Sequence, residues 1–256
     1  MSIIDKKNRR VINLILEGII IPYLIYVLIA IIISMIYSHI FGKDNINFVL
    51  NQGISNVFAL LILIPIYIRF IFKNNIKIKD FVISKSFYLI PLAFSICIIC
   101  NVLLDFMPRA SENIVSEEVM KLTEEYNIML SLIIIAIIDP IVEEIIFRGF
   151  FYDTVKILSN DIFAIIFTSI VFAIAHSDLR QGIYAFIAGI VFSYVKYKYG
   201  NIIYNIIMHL LMNLTTLVFV PGILEIDNIR YKFYVLFIMF AMAFFSIYRI
   251  YIANNE

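Results

Sequence analysis

Apolar runs about as long as a lipid bilayer is thick recur along this chain and leave little polar sequence between them. A helix rises about 1.5 Å per residue, so roughly 20 apolar residues cross about 30 Å of hydrocarbon. Eight segments meet or approach that length: 18–37, 54–72, 87–104, 128–151, 162–176, 182–198, 202–220 and 233–252. Backbone polar groups in lipid must bond within their own segment, so these runs are expected to be helices. The expected fold is all-α: a polytopic membrane helical bundle of about eight transmembrane helices. No internal repeat or low-complexity linker divides it, so residues 1–256 are read as a single integral membrane domain. Composition agrees, since only 15% of residues are charged where soluble domains carry about a quarter. A net charge of +1 sets up no field for nucleic acid, and none is expected as a partner.

Basic residues between spans set the expected orientation. With the N-terminus inside, Lys6, Lys7, Arg9, Arg10, Arg69, Lys73, Lys77, Lys79, Lys85, Arg148, Lys156, Lys196, Lys198 and Arg249 lie on the cytoplasmic side. Only Lys43, Arg109, Lys121, Arg180, Arg230 and Lys232 lie outside. Both termini are therefore expected in the cytoplasm of a multi-pass cell-membrane protein. The first apolar run is too long for a signal peptide and has no small-x-small cleavage site, so it reads as a retained span. Cys97 and Cys100 sit inside an apolar run and read as small buried hydrophobes. The stretch 105–127, with Glu112, Glu117, Glu118, Glu124 and Glu125, reads as a solvated outer loop.

Ionisable groups inside a span cost about 2.5–3.5 kcal/mol each on insertion scales. The fourth segment nevertheless holds Asp139, Glu143, Glu144 and Arg148 within ten positions, with Pro140 among them. Such groups must be paired or hydrated. Glu144 and Arg148 are i,i+4 and share a helix face, so they are expected to pair. Glu143 is rotated about 100° from Glu144 and faces elsewhere. Asp139 stands one turn before Glu143 on the same face, and Pro140 removes one backbone hydrogen bond there.

Two later segments add polar groups. The fifth reads Phe172-Ala-Ile-Ala-His176, and the turn before it is expected at Ser159-Asn160-Asp161. Glu143 precedes that turn, and His176 follows it, by about 16 residues, which puts both roughly 25 Å from it in an antiparallel pair. The seventh segment carries His209 and Asn213 at i,i+4, with Asn205 one turn earlier. Polar residues on one face of a span point inward, toward chemistry or toward neighbouring helices. His209 lies only about 13 Å from its own turn at Gly200-Asn201, so depth counting does not by itself bring it level with His176. Segment six carries small residues at Gly182, Ala185, Gly189 and Ser193, a stripe expected to admit a neighbouring helix closely.

Glu143-Glu144-x-x-x-Arg148, Phe172-x-x-x-His176 and His209-x-x-x-Asn213, in that order, resemble the CAAX-protease and bacteriocin-processing (CPBP, or Abi) family of intramembrane proteases. The surrounding words, Pro140 to Gly149 and Phe172 to His176, resemble it too. The resemblance covers about residues 128–220, the expected catalytic core. It implies a peptidase working within or at the membrane, often classed as a metalloendopeptidase. Eukaryotic members remove the last three residues of prenylated CAAX proteins; bacterial members are associated with peptide processing or bacteriocin immunity. A composition rich in Ile, Lys and Asn fits a bacterial source.

On that resemblance, Glu143 is the general base toward water, His176 holds the water, and His209 and Asn213 stabilise the oxyanion. Glu144 and Arg148 brace the site, and Phe172 packs. No cofactor is required in this scheme. Zinc stays open as an alternative, with Glu143, His176 and His209 as the ligands. The expected partners are the bilayer and a membrane-embedded or lipid-associated peptide or protein substrate. A non-catalytic peptide-binding, immunity or regulatory protein on the same fold is the alternative function.

Overall fold

The computed structural model describes residues 3–42, 48–107, 130, 133–176, 178–226 and 228–253. Its regular elements are helices, and among the described residues there is no strand. In chain order they are α1 (Ile3–Ile15), π1 (Leu16–Ile20), α2 (Ile21–Phe41), α3 (Phe48–Asn74), α4 (Ile83–Ser86), α5 (Leu89–Asp105) and π2 (Ile134–Ile138). They continue with α6 (Asp139–Glu144), π3 (Ile145–Phe151), α7 (Tyr152–Leu158), α8 (Asp161–Ile174), α9 (Leu179–Tyr199), α10 (Ile202–Val218), α11 (Val220–Leu224) and α12 (Ile229–Ala253).

Each of the eight apolar segments falls mainly on helix where it is described, the exceptions being the turn residues Phe87, Tyr88, Ala175, His176 and Phe219. Among the described residues, four helices are long and apolar enough to cross a membrane: Lys7–Phe41, Val49–Asn74, Ile83–Asp105 and Ile229–Ile252. The protein is thus a polytopic helical membrane protein, with four spans certified by length and composition where the sequence suggested about eight. The other four segments fall short for two reasons. The helices α8 and α10 have only 14 and 17 residues. The run 133–158 and α9 carry several charged residues. The acidic outer stretch lies, from residue 108 onward, outside the described residues.

The described residues cluster into two compact units, Met1–Lys77 with Glu112–Ala164, and Ile78–Ser111 with Ile165–Glu256. In the first, α3 packs along π2, α6 and π3. Close approach is possible because Gly53 faces Ile134: a Cβ there would stand 2.6 Å from the Ile134 Cδ1 atom. Further along, Phe150 packs against Tyr67 and Phe70, and the Tyr67 hydroxyl donates to Asp153 at 3.1 Å. The long N-terminal helix leaves nearly all of its apolar surface uncovered by protein, as a lipid-facing helix does.

In the second unit α5 is apolar on every side and buried for most of its length, touching α9, α10 and α12. A helix apolar all round belongs at a core. Cys97 and Cys100 lie on it, both free thiols and both buried. The small-residue stripe of α9 packs on α8. A Cβ on Gly189 would stand 3.0 Å from the Ser169 Cα atom, and the Ser193 and Thr168 hydroxyls bond at 3.0 Å. The turn between α9 and α10 falls at Gly200, whose φ of 63° suits glycine, and at Asn201, which caps α10 through the Ile203 amide.

Overpacking a tight helix contact costs typically 1–3 kcal/mol. Gly189→Leu should therefore lower the unfolding midpoint of the detergent-solubilised protein by several degrees, while Ile190→Leu, one residue along on an exposed face, should leave it in place. Thermal unfolding followed by circular dichroism checks this.

Candidate functional site

The polar groups of the fourth segment lie on a helix whose winding changes twice. The π2 stretch ends directly before α6, where Pro140 occupies the first turn. Proline has no amide hydrogen to give to the carbonyl four residues back, and the ladder widens just ahead of it. A second π stretch begins at Ile145, straight after Glu144. Such widened turns rotate the following side chains relative to an unbroken α-helix and are frequent at functional sites.

Within this frame the two adjacent glutamates have unlike surroundings. Glu144 and Arg148 are both 0% exposed, and Arg148 Nη1 donates to Glu144 Oε1 at 3.2 Å. The i,i+4 pairing expected from their spacing is present. Glu143 is only half-buried. Asp139, one turn earlier and also half-buried, accepts from Asn56 Nδ2 on α3 at 2.6 Å. These residues all belong to the first unit.

Phe172, His176, His209 and Asn213 belong to the second. The helix α8 ends at Ile174, so His176, the last residue of the run 162–176, stands just past its C-terminus. Its ring turns back: Nδ1 lies 2.8 Å from the Phe172 carbonyl oxygen. With Nδ1–H as the donor, Nε2 is the acceptor nitrogen. Phe172, 2% exposed, stands edge-on to both imidazoles, with ring centroids 4.8 Å from His176 and 6.0 Å from His209. The two histidines therefore share one aromatic neighbour although depth counting separated them. That counting assumed upright helices and a ring pointing away from its own turn. His209 is also stacked on Phe192 at 4.6 Å, and Asn205, one turn before it, donates to the Phe192 carbonyl at 2.5 Å. Asn213 is half-buried on the same helix.

A cleft of about 510 Å³ opens beside His176, lined by Ala173, Ile174, Leu179, Gly182, Ile183 and Phe186, with Asp178 as its other charged residue. Its size is that of a small-ligand or side-chain pocket. Asp178 is committed to capping α9, accepting from the Gln181 amide at 2.9 Å. Among the described residues no group of three or more His, Cys, Asp or Glu side chains is placed to hold a metal ion.

Two residues touching these sets were not singled out by sequence. Asn56 follows Asn51, Gln52 and Ser55 near the start of an apolar run, and polar residues clustered there were a usable signal. Phe192 gave none, because an aromatic in an apolar helix reads as core.

The region that carries these motifs also has known counterparts. Residues 125–215, which contain all three motifs, match the family described as Type II CAAX prenyl endopeptidase Rce1-like. A protein of Bacillus subtilis (strain 168) named "Putative membrane peptidase YdiL" is 30% identical over 105 residues, 41% of this chain and 41% of that protein. The match thus spans about two fifths of that relative. No solved structure matches the chain.

Removing one partner of a buried ion pair costs about 3–5 kcal/mol because the other charge stays buried, whereas replacing both by apolar groups is often neutral. Arg148→Ala should therefore sharply lower the unfolding midpoint or abolish recovery of folded protein. The double variant Glu144→Leu/Arg148→Met should recover most of that loss, as read by yield of monodisperse protein and by thermal unfolding.

Proposed function

We propose that this chain, whose residues 125–215 match the Type II CAAX prenyl endopeptidase Rce1-like family, is an intramembrane endopeptidase of the CAAX-protease and bacteriocin-processing family. It hydrolyses a peptide bond of a membrane-associated peptide or protein. The observation that carries this reading is the division between the two adjacent glutamates. Glu144 is held by Arg148 in a fully buried pair, while Glu143, the next residue back, is only half-buried. Ionisable groups in an apolar helix are costly, and hydrolysis gives Glu143 a use.

In the proposed reaction Glu143 takes a proton from water as the water oxygen attacks the scissile carbonyl carbon. His176, with Nε2 as its acceptor, holds that water. The negative charge that develops on the carbonyl oxygen is met by donors from His209 and Asn213. The proton held by Glu143 passes to the departing amine as the carbon–nitrogen bond breaks. Glu144 and Arg148 hold the helix that presents the base. Edge-on packing of both imidazoles against Phe172 and stacking of His209 on Phe192 restrain the rings, which supports the orienting roles given to them. No step is routed through a metal; the zinc alternative needs Glu143, His176 and His209 as ligands, and among the described residues no three such side chains are grouped to hold an ion. The protein is proposed to work in a bacterial cell membrane with both termini in the cytoplasm, its substrate entering from the lipid phase.

General acid–base catalysis contributes typically 10²–10⁴-fold. Purified protein in detergent, given a library of apolar membrane peptides, should cleave a subset of them. Glu143→Gln should slow that cleavage by about 10²–10⁴-fold with the fold intact, and a zinc chelator should leave the wild-type rate unchanged. Loss of activity on chelation would replace the metal-free scheme with a zinc one. Cleavage that survives Glu143→Gln would remove Glu143 as the base, and a wild-type protein that cleaves nothing would favour a peptide-binding role.

A further inference from the structure

The first half of the chain has buried polar residues of its own, and one of them reaches the helix of the glutamates. Asn56 is 1% exposed and donates from Nδ2 to Asp139 Oδ1 at 2.6 Å. Asp139 stands one helical turn before Glu143, and residues at i,i+4 share a face.

Local features make this contact a built one. Gly53, one turn before Asn56 on α3, lies against the Ile134 side chain, where a Cβ would stand 2.6 Å from Cδ1; a larger residue there would push Asn56 away from Asp139. The π2 turn ends at Asp139 itself, so the extra residue per turn sets the direction in which this carboxylate points. The chemistry of the partner matters as well. A carboxylate at membrane depth is usually met by a cation, as Glu144 is met by Arg148. Asp139 is met by an amide, which orients the carboxylate through a donated hydrogen bond without cancelling its charge.

We propose that Asn56 is a positioning residue for the reaction: by holding the Asp139 carboxylate it fixes the turn of α6 that presents Glu143 to water. This rests on the peptidase reading, and it adds the N-terminal half of the chain, through α3, to the working parts of the site. Asn56 acts through Asp139 and touches no reacting atom. Without its donor the Asp139 carboxylate turns to other partners and α6 loses its lateral restraint beside the base. A displacement of about 1 Å in a catalytic group costs on the order of 10²-fold in rate.

The test is steady-state cleavage of the fastest-cleaved peptide of the apolar library by the full-length protein. The variants are Asn56→Leu, Asn56→Asp, Asn56→Gln, Asp139→Asn and the double Asn56→Leu/Asp139→Asn, each with its unfolding midpoint. Asn56→Leu and Asn56→Asp are expected to lower kcat by about 10–100-fold, with KM within about twofold and the midpoint kept. Asn56→Gln, which retains the donor, should recover part of kcat, and the double variant should be no slower than the slower single one. An unchanged kcat in Asn56→Leu, losses that multiply in the double variant, or a kcat that falls only together with the midpoint would each overturn the proposal. The last result would leave Asn56 a structural tie. If the wild type cleaves no peptide the peptidase reading fails first. Coupling between Asn56 and Asp139 seen in the midpoint alone would then overturn the positioning role separately.

Discussion

The pairing of Glu144 with Arg148 is the interaction on which the rest of the site depends. Both side chains are fully buried, on a helix whose other residues are mostly apolar. An isolated charge in that setting would neutralise, drag in water or unfold the segment. The pair removes that choice by spending one acid and one base on each other along a single helix face. Glu143, the neighbouring residue, is turned about 100° away from that pair and is half-buried.

Backbone winding then aims these groups. The helix alternates between π and α turns around Pro140 and Glu144, and such widened turns are frequent at functional sites. In the second unit the aiming device is different. The ring of His176 folds back onto the carbonyl of Phe172 just past the end of its helix, and His209 lies flat on Phe192. Close packing between α8 and α9 through Gly189 and Ser193 holds that aromatic cluster together. Rigid positioning of this kind, from packed rings and a terminal hydrogen bond, is what general base and oxyanion chemistry requires of its supporting residues.

Much of this was legible before any coordinates. Apolar run length located the helices, because lipid leaves the backbone few alternatives. The i,i+4 spacing located the Glu144–Arg148 pair, because helical geometry is regular over one turn. The turns at residues 159–161 and 200–201 were visible from their Ser, Asn, Asp and Gly residues. The failures share a physical cause, which is that they depend on tertiary contacts or on local departures from ideal helix. The end of α8 before His176 was missed because the apolar run continues to Ala175 without a stop signal. The shared neighbourhood of His176 and His209 was missed because counting residues from a turn treats helices as upright rods. Asn56 was passed over because its partner lies 83 positions away, and no spacing rule reaches across two helices.

The central claim is that Glu143 acts on a water molecule and does not itself attack the substrate. A single turnover in water enriched in oxygen-18, with the cleaved peptide and the protein both weighed by mass spectrometry, tests it directly. The account predicts one heavy oxygen in the new carboxyl group of the product and none in the protein. A product that carries only ordinary oxygen after that first turnover, with the heavy atom found in Glu143, would show a covalent acyl-enzyme route and contradict it.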